Sequence, residues 1–180
     1  MPRQPRQESS SLIHHWITRG VNKKRIFHTP ADYFCYLRLL SEYKKRFSIM
    51  IFHYCVMPNH CHVILSAKDI TLLSQFSHYV QRSYAYYYQI THGWEGQVFQ
   101  RSFKSYPIEN DSYLLECGRY IERNPVRAKI VEKVGDYQYS SFSFYAYLKM
   151  EPLVDPSPAY LALSNSENKQ PPTPYLMFTT

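Results

Sequence analysis

Two histidines separated by one residue stand at the start of an apolar segment, and no other pattern constrains the fold of this chain as strongly. The segment reads His60-Cys61-His62-Val63-Ile64-Leu65. Side chains two residues apart on a β-strand point to the same face, so His60 and His62 share one face while Cys61 and Val63 point into the opposite layer. Two imidazoles in this position offer two nitrogens to one metal ion. The alternative is a pair of ordinary core histidines that only hydrogen bond.

A second apolar run precedes the histidines. Residues 48–56 favour a β-strand, and Met57-Pro58-Asn59 supplies a short connection, so the two runs predict a hairpin. An imidazole without a partner is costly in the interior of a sheet. The predicted hairpin therefore favours a metal site over simple packing.

The charge and the aromatic content point to an anionic partner. The 180 residues carry a formal net charge of +7 and include 18 tyrosines and 10 phenylalanines. Basic groups attract phosphates and aromatic rings stack on bases, so nucleic acid is the first partner to consider. The sequence has no dense cysteine framework and no segment suited to crossing a membrane, which predicts a cytoplasmic protein with reduced thiols.

The chain is predicted to hold one domain, residues 1–150, followed by a proline-rich and loosely ordered tail, residues 151–180. Within the domain, helical spacing appears after Thr29, from Leu72 to Ile90 and from Asp111 onward. Few strands lie between these helices. This pattern predicts an α+β fold in which helices cover an antiparallel sheet.

Two histidines are too few ligands for a catalytic ion, so a third ligand is expected from elsewhere in the chain. A tyrosine nucleophile with a ligand four residues later on the same helix would place both groups over one site. The candidate pairs with this spacing are taken to be Tyr106 with Asn110, Tyr88 with His92, and Tyr120 with Asn124.

Pro107 weakens the first pair, because a residue before proline avoids helical geometry. Spacing alone leaves the other two pairs open. Asn124 before Pro125 is also typical of a helix start, and Tyr120 is compatible with an ordinary core position.

Four sequence blocks stand out in order along the chain: Thr18-Arg19-Gly20 with Ile26-Phe27, Tyr54-Cys55-Val56-Met57-Pro58-Asn59-His60-Cys61-His62, Gly96-Gln97-Val98-Phe99-Gln100-Arg101-Ser102-Phe103, and Tyr120-Ile121-Glu122-Arg123-Asn124-Pro125-Val126-Arg127-Ala128. Together they resemble the HUH single-tyrosine transposases and are most similar to the REP-associated tyrosine transposase branch of that family. The resemblance covers residues from about Ile13 to Phe142. Cys61 stands where the family usually has a bulky apolar residue, and a buried thiol behaves as a small hydrophobe.

The resemblance implies that Tyr120 is the nucleophile, that His60 and His62 are metal ligands, and that Asn124 is the third ligand. It implies a ferredoxin-like antiparallel sheet covered by helices. It also implies a divalent cation, Mg²⁺ or Mn²⁺, and single-stranded DNA with hairpin, REP-like ends as the substrate. A protein of this kind is expected in the bacterial cytoplasm, associated with the nucleoid, as a monomer or homodimer.

The implied chemistry follows from the properties of phenols. A tyrosine hydroxyl has a reference pKa of about 10 and is a weak nucleophile at neutral pH, so a cation at the scissile phosphate is needed. Attack on the phosphate gives a 5′-phosphotyrosine link and a free 3′-hydroxyl. A 3′-hydroxyl from another strand reverses the step, which joins the strands without ATP.

Basic residues within the matched region are candidates for contacts with DNA phosphates. They are Arg19, Lys23, Lys24, Arg25, Arg101, Lys104, Arg123, Arg127 and Lys129. Two other functions stay open. One is a rolling-circle replication initiator-type nickase, which usually has a longer chain. The other is a nucleic-acid-binding module with a structural or vestigial HxH site and no cleavage.

Overall fold

The computed structural model describes residues 10–100 and 102–166, with the side chains of residues 10–100 and 102–162. Within these residues, four antiparallel strands form one sheet, in the spatial order β2-β3-β1-β4. The strands are β1 (Ile13–Arg19), β2 (Met50–Met57), β3 (His60–Ser66) and β4 (Lys104–Pro107). The hairpin predicted around the two histidines is the β2–β3 pair.

Two long helices connect the strands. Helix α1 (Pro30–Arg46) follows β1, and its start is fixed by the backbone N–H of Thr29, which donates to the Asp32 carboxylate at 2.8 Å. Helix α2 (Ile70–His92) follows β3 and ends at Gly93, whose positive φ of 59° suits glycine. The resulting β-α-β-β-α-β order confirms the predicted ferredoxin-like α+β fold.

Four shorter helices complete the described part of the chain. They are α3 (Asp111–Glu122), α4 (Asn124–Arg127), α5 (Phe142–Tyr147) and α6 (Pro158–Ser166). No described helix is both long enough and apolar enough to cross a membrane.

Helices α1 and α2 cover one face of the sheet. Trp16, Cys61 and Val63 point to this face and belong to a core that includes Tyr36 of α1 and Phe76 of α2. The rings of Trp16 and Phe76 lie 5.7 Å apart. Cys61 is therefore a core residue, as the alternation along β3 predicts.

Helix α3 covers the opposite face. Its side chains Leu114, Cys117 and Ile121 pack against Ile13 of β1 and Ile64 of β3 in a separate, smaller core. The sheet thus lies between an α1/α2 layer and an α3 layer.

A buried polar contact holds the end of α3 against β2. His53 Nδ1 donates to Glu122 Oε1 at 3.0 Å, and the Ser141 hydroxyl donates to the same oxygen at 2.5 Å. Gly118 makes this approach possible, because a Cβ built there would lie 2.7 Å from the His53 ring. The C-terminal end of α3 is therefore fixed in position over the sheet.

The segment after Met150 packs on the domain further than the sequence predicts. Leu153, Val154 and Tyr160 are buried, and the Asp155 carboxylate lies 2.7 Å from Lys44 Nζ. These apolar anchors stand singly among prolines and give no periodic signal, so composition alone suggests a loose tail. The domain extends at least to Tyr160, and residues 167–180 of the predicted tail lie outside the described residues.

Candidate functional site

Strand β3 places both histidines on the α3 face of the sheet. His62 pairs with Ile17 and His60 with Arg19 across the β1–β3 ladder, two and four residues from Ile64 of the α3 core. The two imidazole rings lie 4.8 Å apart at an interplanar angle of 81°. The predicted common face is confirmed.

A third histidine orients His62. His15, buried on β1, places its Nε2 2.8 Å from His62 Nδ1, with the two rings stacked at a centroid distance of 5.0 Å. When His62 Nδ1 carries the proton, its Nε2 keeps the lone pair that binds a metal. Sequence reasoning missed His15, because its contact with His62 depends on the register between two strands that lie far apart in the chain.

His60 is oriented by its neighbour in the β2–β3 turn. His60 Nδ1 donates to Asn59 Oδ1 at 2.5 Å, so the ring nitrogen left for a metal is again Nε2. The Asn59 amide nitrogen donates to the Lys23 carbonyl at 3.0 Å. The turn is thereby attached to the basic loop that follows β1.

The electrostatic environment keeps both imidazoles neutral. Burial lowers the pKa of His62 to about 2, and the neighbouring His15 acts in the same direction. Burial also lowers the pKa of His60 to about 4, with a further contribution from the positive charge of Arg19. Neutral imidazole is the form that binds metal ions.

The donor set fits a divalent cation that takes two nitrogen ligands and fills its other positions with oxygen. Within the described residues, no group of three or more His, Cys, Asp or Glu side chains is arranged to hold a metal ion. Among the described residues, the remaining ligand types are an amide oxygen, water or a phosphate oxygen.

Tyr120 and Asn124 lie where α3 ends and α4 begins. The i, i+4 spacing predicts that Tyr120 and Asn124 share one helix, whereas α3 ends at Glu122 and α4 starts at Asn124. Pro125 explains the break, because it lacks an N–H group and restricts the residue before it. The Asn124 amide nitrogen donates to the carbonyls of Tyr120 and Ile121, each at 3.2 Å, which leaves its Oδ1 as the atom able to bind a cation.

The Tyr120 side chain is 44% exposed and borders a cavity of about 540 Å³. The Arg127 guanidinium lies over its ring, 5.0 Å from the ring centroid. Arg123 lines the same cavity. A phosphate that reaches Tyr120 would therefore meet two positive charges.

The structure groups the predicted site residues into two halves. One half, around His62, contains a cavity of about 120 Å³ that Arg19, Lys104 and Tyr106 also line. The other half is the Tyr120 cavity. Both lie on the α3 side of the sheet, but no described hydrogen bond, ring contact or shared cavity joins Tyr120 to His62.

The competing pair, Tyr88 with His92, lies in the wrong layer. Tyr88 is 6% exposed within the α1/α2 core, and its hydroxyl lies 2.9 Å from the ring nitrogen of His28. His92 contacts the buried Asp32 carboxylate at 2.9 Å. The sheet separates both residues from His60 and His62.

Tyr106, the weakest of the three candidates by spacing, lies on β4 with its ring centroid 6.4 Å from that of His15. It lines the His62 cavity. Its partner by spacing, Asn110, instead caps α3 by accepting from the Tyr113 N–H at 2.8 Å.

The remaining predicted phosphate contacts among the described residues are exposed. Lys23, Lys24 and Arg25 follow β1, where Lys24 Nζ lies 4.5 Å from the centroid of the Trp94 ring. Lys129 is exposed just beyond α4. Arg101 lies outside the described residues.

Comparison with known proteins identifies the family. A sequence profile described as "Transposase IS200 like" matches residues 8–124, more than half of the chain. The chain belongs to the IS200-like transposase family. This confirms the family resemblance seen in the sequence, and the matched region contains Asn124 as its last residue.

A solved structure described as a REP-associated tyrosine transposase bound to a REP hairpin shows the same fold; it is 18% identical, with a TM-score of 0.69 over 88% of this chain and 93% of that chain. A second, from Deinococcus radiodurans R1 and described as a candidate transposase, is 15% identical, with a TM-score of 0.47 over 68% of this chain and 97% of that chain. No curated protein matches the chain.

Proposed function

We propose that this IS200-like transposase is a metal-dependent single-stranded DNA endonuclease and strand transferase that acts at hairpin-bearing ends through a 5′-phosphotyrosine intermediate. We place it in the REP-associated branch of the family. The observation that carries the proposal is the arrangement of His60 and His62. Both rings share one face, both Nδ1 atoms are already bonded, and both Nε2 atoms are left for a cation.

His60 and His62 would hold the cation, with Asn124 Oδ1 as the third protein ligand. A bound Mg²⁺ or Mn²⁺ supplies positive charge against the phosphate oxygens. The chain itself holds the imidazoles neutral and correctly oriented through burial, His15 and Asn59.

Tyr120 is the proposed nucleophile. Its oxygen forms a bond to phosphorus as the bond from phosphorus to the 3′ oxygen breaks; the tyrosine loses its proton and the leaving 3′ oxygen gains one. Arg123 and Arg127 beside the ring stabilise the charge on the phosphate. A 3′-hydroxyl from a second strand runs the same step backwards and completes strand transfer.

The proposed partner is single-stranded DNA with a hairpin end. Support comes from the fold shared with a hairpin-bound REP-associated tyrosine transposase over nearly the whole of both chains. Support also comes from exposed cations on the side where β1 and the β2–β3 turn meet.

The deciding experiment incubates the protein and Mg²⁺ with end-labelled single-stranded hairpin DNA and looks for a covalent adduct on a denaturing gel. We expect an adduct in the native protein and in Tyr88→Phe, and none in Tyr120→Phe. Peptide mapping should place the nucleotide on Tyr120.

Tyr106→Phe is the critical control, because Tyr106 lines the same cavity as His62. It removes one hydroxyl, as Tyr120→Phe does, and should leave the adduct in place. An adduct mapped to Tyr106 would overturn the assignment of the nucleophile. No adduct from any hairpin substrate would favour a nucleic-acid-binding module without cleavage.

A further inference from the structure

The turn between β2 and β3 holds both ends of the basic loop, residues 21–25. Before the loop, the Gly20 N–H donates to the Asn59 carbonyl at 2.9 Å. After the loop, the Phe27 N–H donates to the Pro58 carbonyl at 3.1 Å. The backbone of the turn therefore fixes where the loop begins and ends.

The middle of the loop is attached to the turn by one side chain. The Asn59 amide nitrogen donates to the Lys23 carbonyl at 3.0 Å, and no other described hydrogen bond joins the turn to this part of the loop. Asn22 and Lys23 have positive φ angles of 50° and 60°, which are unfavourable for residues other than glycine. Such a backbone persists only where surrounding contacts hold it, so the Asn59 amide stabilises this conformation of the loop.

The other end of the same amide holds the first histidine of the HxH pair. Asn59 Oδ1 accepts from His60 Nδ1 at 2.5 Å. The oxygen and the nitrogen of an amide lie in one rigid plane, so the contact of the nitrogen with the Lys23 carbonyl also sets the direction of the oxygen. One planar group thus connects the basic loop to the orientation of the His60 ring.

The cations of the loop differ in their freedom to meet a phosphate. The Arg25 guanidinium donates to the carbonyls of Phe27 and His28, at 2.8 Å and 3.4 Å, and so is engaged within its own segment. The side chains of Lys23 and Lys24 are exposed. DNA phosphates at these two lysines would position the loop backbone, including the Lys23 carbonyl.

We propose that Asn59 is a positioning residue that couples DNA binding on the basic loop to cation binding at His60. Phosphates on the loop hold the Lys23 carbonyl, the carbonyl holds the Asn59 amide, and the amide holds the His60 ring with its Nε2 toward the cation. This coupling rests on the proposed function, which supplies both the hairpin DNA and the cation. Because such coupling is reciprocal, a cation at His60 strengthens hairpin binding by the same factor.

The test measures the affinity of the full-length protein for Mn²⁺, from the electron paramagnetic resonance signal of free Mn²⁺ at about 0.15 M salt, where general attraction of cations to DNA is screened. The protein is titrated alone and again when saturated with a hairpin that has no single-stranded extension, and therefore no phosphate to be cleaved. Mn²⁺ bound by the hairpin itself is subtracted with the His60→Ala protein. The native protein should bind Mn²⁺ about fivefold to tenfold more tightly with the hairpin.

Two substitutions of Asn59 separate its two contacts. Asn59→Asp keeps an oxygen that accepts from His60 Nδ1 but loses the donor to the Lys23 carbonyl. Without DNA it should bind Mn²⁺ at least as tightly as the native protein, and the hairpin should change that affinity by less than about twofold. Asn59→Ala loses both contacts, so its Mn²⁺ affinity without DNA should fall about tenfold or more, and the hairpin should not restore it.

Asn22→Asp is the matched control for Asn59→Asp. It makes the same chemical change in the loop itself, on an exposed side chain that forms no described hydrogen bond with the turn. Aspartate tolerates a positive φ, so the loop should keep its conformation. The hairpin should strengthen Mn²⁺ binding in this variant by the native factor.

The coupling is refuted when the hairpin leaves the Mn²⁺ affinity of the native protein unchanged, or when Asn59→Asp keeps the native factor. An adduct assay on the native protein separates this failure from failure of the proposed function. Adducts at Tyr120 together with either of these results would refute the coupling alone. A factor that Asn59→Asp removes, without any adduct from the native protein, would refute the cleavage reaction and support the coupling.

Discussion

His15 Nε2 lies 2.8 Å from His62 Nδ1 across the β1–β3 ladder. The contact occupies Nδ1 of His62 and fixes the position of Nε2, the nitrogen that we propose binds a cation. Partners of this kind usually fix both the tautomer and the orientation of a metal-binding histidine.

The first prediction concerns this contact. His15→Ala leaves His62 Nδ1 buried without its partner, and we expect the Mn²⁺ concentration for half-maximal cleavage to rise about tenfold to a hundredfold. His15→Gln, whose side-chain amide oxygen can accept from His62 Nδ1, should recover part of this loss. DNA affinity in anisotropy should be unchanged in both variants.

His14→Ala is the matched control for His15. His14 is also a buried histidine of β1 but points to the other face of the sheet, where its Nδ1 lies 3.1 Å from the Ser105 hydroxyl. Its half-maximal Mn²⁺ concentration should match that of the native protein. An equal rise in the His14 and His15 variants would show that the effect comes from loss of core packing.

The second prediction concerns the cation. His60→Ala or His62→Ala should abolish cleavage, and excess EDTA should do the same in the native protein, because the cation acts on the transferring phosphate. Hairpin binding should persist, since it depends on the basic surface. Normal cleavage by either variant, or cleavage in chelator, would contradict the metal assignment.

The third prediction concerns the end of α3. Glu122→Ala removes the acceptor shared by His53 and Ser141, and we expect the free energy of unfolding to fall by about 3–5 kcal/mol, measured in urea. Glu122→Gln keeps an acceptor and should lose less. In Glu122→Gln the adduct yield should fall more than the hairpin affinity, because Tyr120 lies two residues away on the same helix.

The fourth prediction concerns pH. Burial lowers the pKa of His15 to about 4, whereas an unfolded histidine titrates near 6.5. Between these values the unfolded chain binds the proton that the folded chain excludes, so this contribution to stability is complete above pH 6.5 and is lost as the pH falls toward 4. Unfolding free energies measured across this range should fall, and His15→Gln should flatten the curve. A native curve as flat as that of the variant would contradict the prediction.

Local patterns in the sequence predict those features that depend on neighbours in the chain. Alternation along β3 places His60 and His62 on one face, and the Thr29 and Asp32 pair marks the start of α1. The contact between His15 and His62 cannot be predicted in this way, because the two residues lie 47 positions apart in the chain and the register between their strands must be known first.

The choice between tyrosines shows the same limit. Spacing leaves Tyr88 and Tyr120 equivalent. The family resemblance favours Tyr120, but the physical difference, that the two tyrosines lie in layers on opposite faces of the sheet, is visible only in the structure. The sequence does not predict the packing of Leu153 and Tyr160 on the domain, for a different reason. Its apolar residues make long-range contacts singly, whereas pattern recognition needs a repeat.

Strand β3 has a hydrogen-bonded neighbour on each side, β2 and β1. The backbone that carries His60 and His62 is therefore clamped from both edges, whereas Tyr120 stands at a helix break closed by the Asn124 amide. Amide protons of β3 should exchange with solvent slowly and those around Asn124 quickly. Under the proposed function, we therefore expect Tyr120, rather than His60 and His62, to move when the site closes on DNA.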